Sequence, residues 1–503
     1  MILLFRLLTA IFFTVASLYY VWMFQLNGYF LKRSINNLLN CPAFYLGVLF
    51  SVLQLAVNFL LPKVALYTNF AFAGLLSPFV FFAKKTPIKF TGRVCRWTIV
   101  LLLIFICANL LLKTWFLTIL ILPLVILSHF ILLPIQYTIN LYYLKQAQKK
   151  VLKMKSTVIV VTGSFGKTST KNILNAFLQT EYSSICSESS FNTPLGLARF
   201  INGLNQNKKF LILEAGAKTK GDIAKICKLF KPTHAIITGI ASQHLETFGS
   251  LKNIIDTKGE VLDFLTNESI CVLNADDINS QDYFKKSGFN AVSVGKNGKN
   301  FCFSDLKITP TGTTFSIHTQ NDSYNIFTPL LGSVSAHNIT LAFALALKLG
   351  CKVEKLIETA KNLEYVPHRL QLIKQKDIYI LDDGYNANPL GVEGFIEVLN
   401  SFDGTKAVVS QGIVEMGNQT VAENYRFAKK LAKVADYCAL LGQNTPSLYK
   451  GLIDGDFDEQ KIFVCENLKE AVSALLPYLS KNSVIAFQND LPDNMNGQKR
   501  RQK

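Results

Sequence analysis

Residues Thr162–Thr170 read T-G-S-F-G-K-T-S-T, and this stretch decides the fold around it. An apolar, β-branched run, Val158–Val161, precedes it. After it, apolar residues recur with helical spacing at Ile173, Leu174, Phe177 and Leu178. The order of strand, glycine turn and helix is typical of a phosphate-binding loop. The sequence therefore predicts an α/β domain that binds a polyphosphate at this loop.

The glycines of the loop explain how it could hold phosphates. Gly163 and Gly166 let the backbone approach the anion closely, so that N–H groups and the helix N-terminus face it. Lys167 supplies a point charge, and Thr168 is the expected magnesium ligand. The spacing G-x-x-G-K-[ST] is tighter than the usual G-x-x-x-x-G-K-[ST]. The alternative is a Gly/Ser turn with a solvated lysine, which the flanking strand and helix disfavour.

The charge distribution divides the chain into two parts. Residues 1–150 carry 13 Lys or Arg and no Asp or Glu, and the first acidic residue is Glu181. The remaining 353 residues carry 39 basic and 34 acidic side chains, which leaves +5 of the total charge of +18. The basic residues of the first part lie between apolar runs, as at a membrane surface. The second part shows no basic face interleaved with aromatic residues, so no nucleic acid partner is expected.

Five apolar runs before the loop predict a transmembrane region over residues 1–145, because about 20 apolar residues span a bilayer. The runs are Leu3–Phe24, Pro42–Leu61, Val64–Phe82, Trp97–Leu112 and Trp115–Tyr137. Four of the five runs are long enough to span a bilayer. The remaining one, Trp97–Leu112, reaches that length only with its flanking residues. A cleaved signal peptide could account for the first run alone. Buried helices of a soluble protein would need acidic and polar faces that these runs lack.

The loops between the runs set the predicted orientation. Most lysines and arginines follow the first, third and fifth runs, whereas the intervening loops carry only Lys63 and Lys113. The positive-inside rule then places the N-terminus outside and everything after Lys145 in the cytoplasm. The sequence therefore predicts a multi-pass protein whose partner is a lipid bilayer and whose phosphate-binding loop lies on the side where ATP is found.

After Ser156, short β-branched runs alternate with helical patterns, which predicts a central α/β domain over residues 146–365 with a mostly parallel sheet. Its expected strands after the loop are Phe210–Leu213, Ala235–Ile240, Ser269–Leu273 and Ala291–Val294. A Rossmann-like α/β domain is expected over residues 366–490, with strands at Ile378–Leu381, Ala407–Ser410, Tyr437–Leu441 and Ser483–Phe487. Residues 491–503 are polar and basic, and we expect them to be disordered.

Four polar residues of the central domain stand out near strand ends or on a helix. Glu214 and Asn274 end predicted strands, His244 lies in a loop after one, and Lys258 lies on a predicted helix. A carboxylate beside a nucleotide site suits magnesium. Each residue also has a plain alternative: a solvated glutamate, a packed or surface histidine, or an exposed lysine.

The stretches around these residues occur in the order and approximate spacing of the Mur ligase family, which the sequence resembles from Val158 to about Asp490. After the loop come E-A-G at Glu214, H-L-E-T-F-G-S at His244, T-K-G-E at Lys258 and L-N-A-D-D at Asn274.

Three stretches of the second half narrow the resemblance to the MurF type, the UDP-N-acetylmuramoyl-tripeptide:D-alanyl-D-alanine ligases. They are S-A-H-N-I-T with His337 and Asn338, V-P-H-R-L with Arg369, and D-D-G-Y-N-A-N-P at Asp382–Pro389.

The resemblance implies roles for individual residues. ATP would be held by Gly163, Ser164, Gly166, Lys167, Thr168, Ser169, Asn274, Asn338, Arg369 and Asp383. Within this set, Asn274 and Asn338 would lie on the adenine side, Arg369 at the phosphates and Asp383 at the ribose. The magnesium ligands would be Thr168, Glu214, His244 and Lys258. The catalytic residues would be Lys167, Lys258, His244 and Arg369.

The resemblance also implies two magnesium ions and two substrates. Lys258 corresponds to the lysine that is carbamoylated in this family, which turns a cation into a carboxylate-like ligand for the second ion. The loop that meets the UDP-muramoyl-peptide would contain Asn192, Thr193 and Gly196. The residues beside the incoming D-alanyl-D-alanine would be Tyr385, Asn386 and Asn388.

The implied reaction is ATP-dependent amide bond formation in peptidoglycan precursor synthesis, carried out at the bacterial inner membrane. The terminal carboxylate of the bound peptide would be phosphorylated to an acyl phosphate, which the amine of D-alanyl-D-alanine then attacks. Closure of the C-terminal domain would exclude water from the acyl phosphate.

The sequence departs from the family in two places. The membrane region occupies the position of the usual uridine-binding domain, so either the central domain and membrane loops hold the UDP sugar or the substrate is a related, lipid-linked molecule. In addition, S-Q-G-I-V-E-M-G at Ser410–Gly417 replaces a D-M-x-E-L-G-like pattern.

Two other functions compete with this prediction. One is a membrane-associated Mur-ligase-like amide synthase acting on another acidic peptide, such as a poly-γ-glutamate synthase, which the Y-N-A-N-P stretch disfavours. The other is an ATP-driven transport protein. We expect no ionisable residue in the middle of a span, and no transporter ATPase signature follows the loop, which argues against transport.

Overall fold

The structure is a computed structural model that describes residues 2–61, 63–65, 67–68, 71, 88–111, 120–188, 191–241, 245–281, 291–385, 388–414 and 416–488. The chain divides into two compact units, Met1–Tyr142 and Tyr143–Lys503. The predicted tail at residues 491–503 lies outside the described residues.

The first unit is helical wherever it is described in regular structure. Its helices are α1 (Ile2–Leu26), α2 (Leu31–Leu39), α3 (Pro42–Leu60), α4 (Gly92–Leu111) and the start of α5 (Ile121–Met154). Within the described ranges, three helices are long and apolar enough to cross a membrane, namely α1, α4 and α5. They overlap the first, fourth and fifth predicted runs. The second run forms α3, and most of the third run, Val64–Phe82, lies outside the described residues.

The interior of the first unit is aromatic, and it contains a histidine. His129 lies near the middle of the fifth predicted run and is buried, with its ring centroid 5.0 Å from that of Phe24 and 5.2 Å from that of Trp97. The expectation that no span has an ionisable residue at its centre was therefore wrong. The flat imidazole ring packs against the aromatic rings of Phe24 and Trp97, and for this reason an apolar run can accommodate it.

The last turns of α5 belong to the second unit. Ala147 and Val151 are buried in its core, and Leu144 and Met154 pack against the same cluster. The Lys150 ammonium donates to the carbonyl oxygens of Asn202, at 2.9 Å, and Leu204. The spacing of these apolar residues is that of one helical stripe. The helix that follows the apolar run is thus a structural part of the α/β unit.

A mixed sheet of nine described strands forms the centre of the next domain, in the order β2-β3-β1-β4-β5-β6-β7-β8-β9. The strands are β1 (Thr157–Thr162), β2 (Ser184–Cys186), β3 (Phe210–Glu214), β4 (His234–Ile237), β5 (Cys271–Asn274), β6 (Val292–Gly295), β7 (Phe301–Thr309), β8 (Gly312–His318) and β9 (Ser323–Thr328). Pairings from β2 to β7 are parallel, so the predicted parallel core and its four later strands are confirmed.

Helices cover both faces of this sheet. They are α6 (Lys167–Leu178), α7 (Pro194–Gly203), α8 (Asp222–Phe230), α9 (Leu245–Phe248), α10 (Leu251–Gly259), α11 (Gly332–Lys348) and α12 (Val353–Ala360). Strand β1 shows why: Ile159 and Val161 enter the core with α6 and α11, whereas Val158 and Val160 enter the core with α7 and α8. A strand buried on both faces reads as a continuous apolar run.

The antiparallel strands β7, β8 and β9 were not predicted. They form a meander that extends the parallel sheet at one edge. Beyond the first residues of β7, most residues of β7 and β9 are exposed or half-buried. Short mixed runs of this kind carry little periodic signal.

The C-terminal domain contains six described strands in the order β10-β11-β15-β12-β13-β14. They are β10 (Gln371–Gln375), β11 (Ile378–Asp383), β12 (Lys406–Ser410), β13 (Tyr437–Leu440), β14 (Ile462–Val464) and β15 (Val484–Gln488). Its helices are α13 (Pro389–Asn400), α14 (Thr420–Leu431), α15 (Thr445–Ile453) and α16 (Leu468–Leu475). The four predicted strands are confirmed, while the short edge strands β10 and β14 were missed. Strand β10 is antiparallel, and the other pairings are parallel.

The central and C-terminal domains are joined through α11 and α13. The backbone N–H of Ser333 donates to Glu397 at 2.9 Å, and Leu331 is buried in the C-terminal core. The Tyr365 hydroxyl donates to the carbonyl oxygen of Pro329. The N-terminal end of α11 is therefore shared by both domains.

A truncation tests the assignment of the last turns of α5 to the α/β unit. A chain starting at Tyr143 should fold, whereas a chain starting at Ser156 loses the burial of Ala147 and Val151 and should be less stable by about 3 kcal/mol or more. Urea unfolding of both chains measures the difference. Equal unfolding midpoints would show that the helix is dispensable to the fold.

Candidate functional site

The phosphate-binding loop connects β1 to α6, and its glycines have no room for a side chain. Gly166 adopts φ of 71°, and a Cβ there would lie 2.4 Å from Oδ1 of Asn338. A Cβ on Gly163 would lie 2.1 Å from the Thr238 hydroxyl oxygen. The first N–H groups of α6 have no partner within the helix. The phosphate-binding loop is thus packed tightly against Asn338 and Thr238, and it leads into a helix N-terminus that is suited to bind an anion.

Lys167 is folded back onto the loop. Its Nζ donates to the carbonyl oxygens of Gly163, at 2.9 Å, and Ser164, at 3.3 Å. Burial lowers the pKa of Lys167, while Glu214 acts in the opposite direction. A phosphate would compete with these two carbonyl oxygens for the ammonium group, so Lys167 is placed to reach a ligand on the loop.

Glu214 lies at the end of β3, beside the start of α6, and is buried. Its Oε2 accepts a hydrogen bond from the Thr168 hydroxyl at 2.9 Å and lies 3.2 Å from Nζ of Lys171. Its Oε1 lies 3.4 Å from Nδ2 of Asn192. A carboxylate is rarely buried unless it is paired and hydrogen-bonded. The plain alternative of a solvated glutamate is therefore wrong, and the loop, β3 and the segment before α7 meet at one carboxylate.

Lys171 is a buried residue of this site that the sequence analysis did not identify. It is fully buried, one turn after Thr168 on α6, and forms its ion pair with Glu214. A lysine one helical turn after the loop threonine lies on the same helix face. That spacing was the available signal, but a lysine in a helix is ordinarily assigned to solvent.

Lys258 is also buried, which excludes the plain alternative of an exposed lysine. It lies in the last turn of α10. Burial lowers the pKa of Lys258 well below its usual range, and the charge of Lys167 acts in the same direction. Three carboxylates, Glu214, Asp222 and Glu260, oppose the shift. An amine in this environment loses its proton readily.

Two asparagines support the loop from neighbouring elements. Oδ1 of Asn338, on α11, accepts a hydrogen bond from the Thr170 hydroxyl at 3.1 Å. Nδ2 of Asn274 donates to the carbonyl oxygen of Thr238 at 3.0 Å. Both side chains are buried. Asn274 and Asn338, the two residues predicted for the adenine side, are thus brought to the same end of the sheet as the phosphate-binding loop.

Ser164 and Ser169, the other two loop residues predicted to hold ATP, differ in their surroundings. The Ser164 hydroxyl donates to the carbonyl oxygen of Ala241 at 2.9 Å and accepts from its N–H at 3.0 Å. It therefore ties the loop to the segment after β4. Ser169 lies on the first turn of α6 and is partly buried.

The C-terminal domain contributes Arg369 and Asp383. Nη1 of Arg369 donates to the carbonyl oxygen of Tyr385 at 2.9 Å, and its guanidinium lies 4.3 Å from the centre of the Tyr385 ring. Burial lowers the pKa of Arg369, while Asp383 and then Glu214 oppose that shift. Burial raises the pKa of Asp383 to about 6. Arg369 therefore interacts electrostatically with a carboxylate of each domain, Asp383 of the C-terminal domain and Glu214 of the central domain.

The backbone holds Arg369 between two strained residues. His368 has φ of 61° and Leu370 has φ of 45°, which are left-handed values for residues other than glycine. Such conformations persist only where the surrounding structure enforces them. The His368 ring is 2.8 Å from Asp382, and the N–H of Leu370 donates to Asp383 at 3.1 Å.

Several residues predicted to bind substrate have structural roles at helix starts. Thr193 accepts a hydrogen bond from the N–H of Gly196 and caps α7. Asn388 is buried, and its Oδ1 accepts from the N–H groups of Leu390 and Gly391 to cap α13. Each cap is followed by proline at the first helical position, which is a sequence signal of a helix start. Their side-chain oxygens are therefore engaged within the fold.

Two predicted site residues fall outside the described part of the chain. These are His244, predicted to bind magnesium, and Asn386, predicted to bind the dipeptide. Tyr385, next to the latter, is about half exposed.

The donor set at the loop fits a magnesium ion. The Thr168 hydroxyl and the Glu214 carboxylate are hard oxygen ligands 2.9 Å apart at the start of α6. Within the described residues, no three His, Cys, Asp or Glu side chains come together as a metal site. The remaining ligands would come from phosphate, water, a modified lysine or His244, the predicted ligand that lies outside the described residues.

The fold and the loop define a class of protein: P-loop enzymes with a parallel central sheet and a Rossmann-like C-terminal domain. Comparison with known families then identifies the chain. Residues 161–346 match the Mur ligase middle domain, and residues 368–488 match the family described as Mur ligase, glutamate ligase domain. Together these matches cover more than half of the chain, which belongs to the Mur ligase family.

Individual relatives agree with this membership. The UDP-N-acetylmuramoyl-tripeptide–D-alanyl-D-alanine ligase of Escherichia coli is 28% identical over 274 residues, which are 54% of this chain and 61% of that protein. The enzyme of the same name from Bacillus subtilis is 29% identical over 280 residues, 55% of this chain and 60% of that protein. The chain thus matches about three fifths of the length of these relatives.

A solved structure extends the similarity to both α/β domains. MurF ligase from Thermotoga maritima, in complex with ADP, superposes with a TM-score of 0.63 at 26% identity. The match covers 70% of this chain and 80% of that chain.

Substitution of Gly166 tests the cradle. Gly166→Ala should weaken nucleotide binding at least about tenfold and destabilise the fold by about 1 kcal/mol or more, because its Cβ collides with Asn338 and its backbone is left-handed. Titration with a fluorescent ATP analogue and thermal unfolding measure the two effects. Gly203→Ala is the control, since nothing lies within 4 Å of its Cβ. Wild-type nucleotide affinity in Gly166→Ala would contradict the assignment.

Proposed function

We propose that this protein is an ATP-dependent amide ligase that adds D-alanyl-D-alanine to UDP-N-acetylmuramoyl-tripeptide, at the cytoplasmic face of a bacterial membrane. The observation that carries the proposal is the buried Thr168–Glu214 pair beneath the phosphate-binding loop, with Arg369 of the second domain electrostatically coupled to Glu214. The names of the relatives supply the substrates, because a loop of this kind alone would fit many ATP-using enzymes.

The first chemical step is transfer of a phosphoryl group. A carboxylate oxygen of the tripeptide attacks the γ-phosphorus of ATP, the bond to the β,γ-bridging oxygen breaks, and an acyl phosphate and ADP form. The start of α6 and Lys167 would hold the phosphates and offset their charge. Magnesium bound at Thr168 and Glu214 would supply further neutralisation of the transferring phosphoryl group.

The second step forms the amide bond. The amine of D-alanyl-D-alanine attacks the acyl carbon, the bond to the phosphate oxygen breaks, phosphate leaves and the nitrogen loses a proton. Arg369 would face the phosphate from the C-terminal domain, where its stacking on Tyr385 fixes the guanidinium plane. Placement of the amine beside the acyl phosphate raises the rate of attack, because the two reactants are already held together. Exclusion of water prevents hydrolysis of the acyl phosphate.

Lys258 would supply a second acidic ligand after carbamoylation. Carbon dioxide adds to a neutral amine, and the lowered pKa of this buried lysine favours that form. As the carbon–nitrogen bond forms, the nitrogen releases a proton to solvent, and the carbamate carries a negative charge where the protonated lysine carried a positive one. The proposal gains support from the ligand set at the loop, where Glu214 is the one carboxylate that contacts Thr168 among the described residues, a sparse set for two magnesium ions.

The membrane location rests on the apolar helices and on the charge pattern of their flanks. Helices α1, α4 and α5 are long enough to span a bilayer, and the basic residues cluster where the positive-inside rule places the cytoplasm. The form of the muramoyl-peptide donor has two candidates, the UDP-linked molecule and a lipid-linked one. We propose the UDP-linked donor, which the names of the relatives support.

Product analysis tests the reaction and the donor together. The purified full-length protein with ATP, UDP-N-acetylmuramoyl-tripeptide and D-alanyl-D-alanine should yield ADP, phosphate and UDP-pentapeptide, detected by mass spectrometry. A parallel reaction contains the lipid-linked tripeptide in detergent. If product forms only from the lipid-linked donor, the proposed reaction stands and the proposed donor is wrong. If phosphate is released only with glutamate peptides, the protein is instead a poly-γ-glutamate synthase.

Lys258→Ala tests the carbamate. The variant should lose at least about 99% of ligase activity, because one ligand of the second magnesium is missing. Short carboxylic acids such as acetate should restore part of the activity, since they can occupy the space of the carbamate. Lys225→Ala, which removes an exposed lysine paired with Asp222, is the control. Full activity of Lys258→Ala without added acid would refute the metal-bridging role.

A further inference from the structure

Lys171 is a buried cation that the reaction as described does not use. Its side chain is completely inaccessible, and its Nζ lies 3.2 Å from Oε2 of Glu214. The same oxygen accepts the hydrogen bond of Thr168, which leaves Oε1 with the amide of Asn192 at 3.4 Å. The carboxylate expected to bind magnesium is therefore already neutralised by a lysine before any metal arrives.

The wider surroundings of Glu214 are also cationic. Lys167 and Arg369 interact electrostatically with Glu214, and Lys258 does so while its amine is protonated. Two further carboxylates, Asp222 and Glu260, act on Lys258. Both are already engaged, since Asp222 accepts from the N–H groups of Lys218 and Thr219 and Glu260 accepts from those of Gly221 and Ala224. A free divalent cation would thus meet, at the loop threonine, a carboxylate whose charge Lys171 already offsets.

We propose that Lys171 is a positioning residue that makes metal entry depend on the nucleotide. Its ammonium holds the Glu214 carboxylate beside the Thr168 hydroxyl when no metal is bound. Its charge makes that site a poor one for a free divalent cation. Magnesium then enters together with the triphosphate, whose negative charges offset Lys171 and Lys167.

The ion pair is suited to this role by its rigidity. Lys171 is held along α6 in the core beneath the loop, and Glu214 is fixed at the end of β3 with its backbone N–H donating to the Ser187 hydroxyl. A buried pair cannot separate into water at low cost. The carboxylate therefore keeps its place whether or not a metal is bound, and only the charge balance changes.

Manganese binding without nucleotide tests the proposal, which rests on the proposed nucleotide site. The probe is Mn²⁺ alone, its free concentration measured by electron paramagnetic resonance on the full-length protein in detergent and bicarbonate-free buffer. Wild type should bind Mn²⁺ at least about tenfold more weakly than Lys171→Met, because a positive charge close to the ion opposes binding. Addition of Glu214→Gln to Lys171→Met should abolish the gain.

Two further variants separate charge from structure. Lys171→Gln keeps a hydrogen-bond donor near Glu214 and removes only the charge, so it should show the same gain if Lys171→Met does not fold. Lys355→Met is the matched control, since Lys355 forms an ion pair with Glu181 at the same 3.2 Å on the surface. It should leave Mn²⁺ affinity unchanged. A merely structural role for Lys171 predicts loss of binding and never a gain.

A second measurement needs only the wild-type protein. Its affinity for Mn²⁺ should rise at least about tenfold when a non-hydrolysable ATP analogue is present. Equal affinities with and without the analogue, or no gain in Lys171→Gln, would overturn the proposal. Failure of the wild type to bind the analogue at all would instead overturn the proposed function, so the two failures are distinguishable.

Discussion

The carboxylate of Glu214 is the constraint on which the site depends. A buried carboxylate has to be paired and hydrogen-bonded, and Glu214 meets this requirement with three side chains from two separate segments, namely Thr168 and Lys171 on α6 and Asn192 before α7. Each contact connects Glu214 to an element that the apolar core of the sheet holds in place. The polar site is thereby as rigid as the core beneath it.

Much of this arrangement could be predicted from the sequence, because the decisive patterns are local. The β-branched run, the glycines and the helical spacing of the apolar residues after Thr170 define strand, loop and helix without knowledge of the tertiary structure. The end of β3 at Glu214 was likewise visible. Burial of Lys171 and Lys258 was not, because it arises only when separate elements pack together, and a lysine in isolation is assigned to solvent.

The sequence signals for Thr193 and Asn388 were present but were interpreted as substrate contacts. Both precede a proline at the first turn of a helix, and both cap that helix in the structure. Capping does not prevent a neighbouring atom from meeting a substrate, since the Nδ2 of Asn388 is not part of the cap. It does show that a motif shared with a family can be maintained by folding requirements as well as by chemistry.

Helix α5 has a consequence for how the protein is made. The polypeptide is synthesised from its N-terminus, so α5 leaves the ribosome before β1 and before every other element of the nucleotide-binding domain. Ala147 and Val151 then present an apolar stripe to which the later elements can add. A helix long enough to be recognised by the insertion machinery thus also supplies the first surface of the catalytic core. With the proposed membrane location, insertion of this helix and folding of the α/β unit would be successive stages of one assembly process.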